Sequence, residues 1–223
     1  MIRLMRILPM LAVSAGLMSA AAAPARADQA AVLNQAMITV DKMKTDPMFG
    51  PSRQFLRNAK AVLIVPRLLK GGFIFGAEGG DGVMVARLGK RWSSPAFYTL
   101  GSASFGLQIG LQQARFVMFI MTDRALRAVE ASKFTFGGAA GLTVISLGAG
   151  VQAATSTNLT GDIIVWSASK GAYGGLTLQG SVLAPKSNWN AQFYGRPISA
   201  PEILGMEGRN PMSRSLRTDL EGL

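Results

Sequence analysis

A chain of 223 residues with 23 Lys and Arg against 12 Asp and Glu carries a formal charge of +11 and is long enough for one domain with a sizeable core. It contains no cysteine, which excludes disulfides, thiolate metal sites, cysteine nucleophiles and a lipid-modified N-terminal cysteine. It contains no histidine either, so the commonest general base and metal ligand are missing, and histidine-based triads and zinc chemistry go with them.

The chain opens with Arg3 and Arg6, runs through an apolar stretch from Ile7 to Ala23, and reaches Ala25-Arg26-Ala27, a small-x-small cleavage pattern. This reads as an export signal over 1–27, with cleavage before Asp28 and a protein that acts in the periplasm or outside the cell, soluble or peripheral on a membrane. Three of the 23 basic residues and none of the 12 acids lie in 1–27, leaving 20 against 12, a net +8 on residues 28–223. Anionic partners are favoured by that balance.

From Asp28 to about Lys60, Val32, Leu33, Ala36, Met37, Val40 and Met43 recur at helical spacing, and Phe55, Leu56 and Ala59 follow the Pro47–Pro51 break. Two helices are expected, with Ser52 a candidate cap for the second. After Ala61 the texture changes to short β-rich runs: Ala61–Val65, Gly72–Ala77, Gly82–Arg87, Ala96–Leu100, Ser104–Leu111 and Phe116–Met121. Gly79-Gly80-Asp81-Gly82 reads as a hairpin turn between the second and third runs. A helical pattern over Asp123–Ser132, with Thr122 as its cap, interrupts the strands. Strand-like runs resume at Phe134–Phe136, Leu142–Leu147, Asp162–Ser167 and Ala172–Leu183, and Trp189–Phe193 and Pro201–Leu204 read as short helices. The expected class is α+β: a mainly antiparallel sheet, two N-terminal helices, one helix interrupting the strands, and short C-terminal helices. Residues 28–60 form the helical segment, 54–205 the main domain and 206–223 a flexible tail.

Enzymatic motifs are weak. The glycines of Gly76–Gly82 join two strands rather than a strand to a helix and lack a following Lys-Ser/Thr, so they do not make a phosphate loop. Ser167-Ala-Ser-Lys170 has the Ser-x-x-Lys spacing of penicillin-recognising acyl enzymes, but sits at a strand end without the companion motifs. A Ser/Lys acyl hydrolase is therefore a minor alternative. Among Glu78, Asp81, Asp123, Glu130 and Asp162 nothing pairs two carboxylates for acid/base work, and Asp162 is expected to fix a turn before its strand. No cofactor is implied.

Charge bias is clearest in the N-terminal third, where Lys42, Lys44, Arg53, Arg57, Lys60, Arg67 and Lys70 lie within thirty residues against only Asp41 and Asp46. Such a face suits anionic lipid headgroups, each basic residue contributing about 1 kcal/mol near the surface. Met48, Phe49 and Phe55 are candidates for shallow insertion. Arg87, Lys90 and Arg91 beside Trp92 form a second basic-aromatic cluster, a candidate interfacial anchor. A structural outer-membrane β protein is an alternative that the short strands disfavour. Nucleic acid is not expected, because the interleaved aromatic and basic modules of RNA binders are missing.

The runs Ala59-Lys-Ala-Val-Leu-Ile-Val-Pro66, Lys70-Gly-Gly-Phe-Ile-Phe-Gly76, Gly82-Val-Met-Val-Ala-Arg87 and Trp92-Ser-Ser-Pro-Ala-Phe-Tyr98 resemble the SYLF lipid-binding domain. The segment Gly101–Gly110 continues the likeness, with Phe134, Asp162 and Ser167–Gly171 in the expected order, so that it covers roughly Gln54 to Leu183. The resemblance implies non-enzymatic binding of phosphoinositide or other anionic phospholipid at a membrane surface. For some eukaryotic members it also implies binding of actin filaments, a partner that an exported bacterial chain would not ordinarily meet. The residues do not specify an oligomeric state.

Overall fold

The computed structural model describes residues 25–45, 47–72, 75–105, 110–131, 133–138, 142–148, 161–169, 178, 180–208 and 210–223. It is α+β, built on a mainly antiparallel sheet. The strands are β1 (Ala61–Gly72), β2 (Phe75–Leu88), β3 (Arg91–Trp92), β4 (Ala96–Phe105), β5 (Gly110–Ile120), β6 (Phe134–Thr135), β7 (Val144–Gly148), β8 (Ile163–Ser169) and β9 (Val182–Pro185). They pair in the order β6-β9-β4-β2-β1-β5-β8-β7, with β3 added to the end of β2. The pairing of β7 with β8 is parallel, unlike the others.

The central strands read as nearly continuous apolar runs because both faces are covered. On β1, Leu63 and Val65 face one core layer while Val62 and Ile64 face the other, and β5 divides Phe116 and Met118 from Val117 and Phe119 in the same way. The second layer is closed by α1 (Ala25–Thr45), a 3-10 segment at Pro47–Ser52, α2 (Arg53–Asn58), α4 (Ser187–Tyr194) and α6 (Arg214–Glu221). The first lies inside the curl of the sheet. It is plugged by α3 (Asp123–Glu130), which packs on both β5 and β9 although three strands separate them in sheet order, and by α5 (Ala200–Leu204).

The expected helical stripe on α1 is present, with Leu33, Ala36, Val40 and Met43 all fully buried. The Thr122 hydroxyl caps α3 by accepting from the Ala125 amide at 3.2 Å. Ser52 does not cap α2; its hydroxyl donates instead to the Phe49 carbonyl at 2.7 Å. Residues 206–223, expected as a flexible tail, include α6, whose Leu216 and Leu220 are buried beside α1.

Gly79-Gly80-Asp81-Gly82 is not a turn. These residues run mid-strand in the fourteen-residue β2, opposite a bulge in β1. The β1 register gains one residue between Val65 and Leu68 against β5, and between Ile64 and Leu69 against β2. A Cβ on Gly80 would lie 2.5 Å from the Arg67 carbonyl oxygen, and one on Gly82 would lie 2.6 Å from that of Ile64. Glycine is needed there for close backbone approach, not for a positive φ. The tight turn lies at Gly89-Lys90 between β2 and β3, where Gly89 has φ +62°.

Candidate functional site

Most of the basic residues singled out in the sequence gather at the end of the sheet where β1 begins. Ala61 pairs with Ala86 and Ile120, which brings Lys60, the β2–β3 hairpin and the start of α3 together. The last turn of α1 and all of α2 lie over the same end, because the Arg53 guanidinium donates to the carbonyls of Lys44 at 2.7 Å and Met43 at 3.4 Å. The two helix ends are thus joined by a cation where unpaired carbonyls accumulate.

Several of these cations are committed to the fold. Arg87 donates from Nε to the Ala59 carbonyl at 3.0 Å and from Nη2 to that of Leu56 at 2.7 Å, while its guanidinium lies 4.2 Å from the centre of the Trp92 ring. Burial pulls its pKa below the ordinary arginine value. Lys44 pairs with Asp219 at 2.7 Å, Lys60 with Asp123 at 3.3 Å and Arg91 with Glu207 at 3.3 Å. Lys42, Arg57 and Lys90 remain. Among the described residues they have no ion pair or hydrogen bond; Arg57 and Lys90 are exposed, Lys90 at the hairpin tip, and Lys42 is half-buried.

Arg67 and Lys70 do not belong to this rim. They lie at and beyond the β1 bulge, toward the other end of the strand, and the Lys70 side chain is outside the described residues. Trp92 is not an interfacial anchor: it is fully buried in the helix-covered layer, beneath Arg87. Phe49 and Phe55, expected to insert shallowly, are buried in the same layer, where Phe49 packs on Trp166 and Phe55 on Phe119. Large aromatics beside a basic run suggest a membrane-facing patch, yet the sheet beneath them supplies a better apolar contact.

Asp162 does more than fix a turn. Its carboxylate accepts from the Thr143 amide at 3.0 Å, the Thr122 hydroxyl at 2.7 Å and the Arg124 guanidinium at 2.9 Å, binding α3 to the starts of β7 and β8. The Thr143 amide, then Thr122 and Arg124, hold its pKa below the usual carboxylate range. Ser167 is buried on β8, and Lys170, its partner in the Ser-x-x-Lys pattern, lies outside the described residues. The Lys186 ammonium was not singled out in the sequence. It bonds Asp81 at 2.8 Å and stands 3.3 Å from the centre of the Trp189 ring. Its partner is 105 residues away, beyond the reach of any local signal.

The fold and its end-on basic rim can be set beside known proteins. Residues 101–222 match the family model Ysc84, described as a Las17-binding protein actin regulator. The chain belongs to the Ysc84, or SYLF, family. LAS seventeen-binding protein 3 of Saccharomyces cerevisiae is 31% identical over 184 residues, covering 79% of this chain and 40% of the yeast protein. Protein YSC84 of the same yeast is 31% identical over 170 residues, 73% of this chain and 36% of its own length. Human SH3 domain-containing YSC84-like protein 1 is 30% identical over 151 residues, 67% of this chain and 44% of that protein. The chain therefore spans about two fifths of the length of the curated relatives it matches. The first of these names states a binding role, and the family description adds that of an actin regulator.

Proposed function

We propose that this SYLF chain is a non-enzymatic module that docks on anionic phospholipid, phosphoinositide-like headgroups included, at a membrane surface in the cell envelope or outside the cell. The observation that carries the reading is the rim at the start of β1, where Lys42, Arg57 and Lys90 have no ion pair or hydrogen bond among the described residues while Lys44, Lys60 and Arg91 are already paired with carboxylates. A cation without an internal partner surrenders no native contact when it meets a phosphate, and mobile exposed side chains adapt to a fluid surface. The single sheet beneath, covered on both faces, presents them from hairpin tip and helix ends. The reading of residues 1–27 as an export signal supports an encounter beyond the cytoplasm.

Co-sedimentation with vesicles tests this. The chain is expected to pellet with phosphatidylcholine vesicles that contain phosphatidylglycerol, to stay in solution with phosphatidylcholine alone, and to lose binding as salt rises. Reversing two rim charges, Arg57→Glu with Lys90→Glu, should weaken binding by about fivefold or more per site. Equal binding to neutral and anionic vesicles defeats the reading. Co-sedimentation with actin filaments, reduced by the same two substitutions, would instead assign the rim to the partner named in the family description.

A further inference from the structure

The far side of the β1 bulge opens a cleft of about 810 Å³ between the first turns of α1 and α4, within the range of small-molecule sites. Its walls include Val32, Pro66, Leu69 and Trp189, with Arg67 at the bulge itself. Leu69 is one of three large apolar side chains exposed among the described residues, at 40%. The bulge re-aims the chain at Arg67, and the close approach of Gly80 and Gly82 keeps it seated.

Charges around the cleft are unequal in their freedom. Lys186 and Asp81 neutralise each other at 2.8 Å, with Lys186 also held on the Trp189 ring. Asp28 on the cleft wall is exposed and has no ion pair or hydrogen bond among the described residues; it lies in the first turn of α1, where a carboxylate faces the positive end of the helix. Arg67 is exposed and has no ion pair or hydrogen bond among the described residues. An unopposed guanidinium beside an exposed leucine and an indole is the pairing that an amphiphile completes: a bidentate oxyanion at one end, an alkyl chain along the other.

We propose that this cleft binds a single-chain anionic amphiphile, its carboxylate or phosphate on Arg67 and its chain against Leu69, Val32 and Trp189. The site lies away from the vesicle-docking rim and does not depend on it. It is tested with the full chain and monomeric dodecanoate or dodecyl phosphate, followed by tryptophan fluorescence. Trp92 and Trp166 are buried and Trp189 lines the cleft, so the signal should vanish in Trp189→Phe. A direct calorimetric titration should then still show binding in that variant. Arg67→Gln should weaken both ligands about tenfold or more, and Leu69→Ser should weaken them while leaving vesicle binding unchanged. The head that binds more tightly distinguishes a fatty acid from a phosphate-bearing lipid as the source. Dodecanol binding as tightly as dodecanoate, acetate or inorganic phosphate binding as tightly as the chain-bearing ligands, or Arg67→Gln leaving affinity unchanged would each overturn the proposal.

Discussion

The guanidinium of Arg87 lies 4.2 Å from the centre of the Trp92 ring and bonds the carbonyls of Leu56 and Ala59, joining the end of α2 to the last residues of β2. Lysine keeps the charge but cannot span two carbonyls with a planar fork, so Arg87→Lys is expected to destabilise the fold by about 1–2 kcal/mol in chemical denaturation. Asp162 is the acidic counterpart. Its folded pKa is depressed, so its contribution is fully present above the unfolded carboxylate value and is lost as pH falls through the folded one. Denaturation of the parent and of Asp162→Asn should therefore differ steadily near neutral pH, and the difference should shrink below about pH 4. A flat difference down to pH 2 would show that the carboxylate charge is not what binds α3 to β7 and β8. Neither role was legible beforehand: the basic run around Arg87 is plain in the sequence, but its carbonyl partners lie 28 and 31 residues away.

At the level of elements, reading was sound where an element carries its own signal. The α3 stripe and its Thr122 cap, the two-helix start and the apolar strand cores all follow from local spacing. It failed where the cause lies on a neighbouring strand. Gly80 and Gly82 resemble turn residues because glycine serves both turns and close backbone approaches, and only the β1 bulge tells the two apart. The distinction is measurable. In a turn with positive φ, alanine costs about 1 kcal/mol, whereas Gly80→Ala must push its methyl into the Arg67 carbonyl and should cost about 1–3 kcal/mol or more. It should also perturb amide signals of Val65–Leu68 in spectra of the folded variant. The candidate rim was legible as composition and not as geometry, since nothing in a charge run says which cations will be committed to helix ends and ion pairs.

Over the whole molecule the chain closes end to end. The Gln29 side chain at the start of α1 donates to the Trp189 carbonyl at 3.0 Å, Lys44 near its other end pairs with Asp219 of α6, and Leu216 and Leu220 complete the layer that Leu33, Val40 and Met43 begin. Leu216→Ala should cost about 2–5 kcal/mol, and removing residues 214–223 should expose the α1 stripe to an apolar dye. The same closure sets an order of events during synthesis. β1 must wait for β5, β5 for β8 and β4 for β9, while α1 packs early on β1 and β2 and gains α4 and α6 only later. The apolar stripe of α1 thus stays partly uncovered until α4 and α6 emerge, which favours a slow, late-completing folding reaction in which partner proteins that hold unfolded chains have time to act.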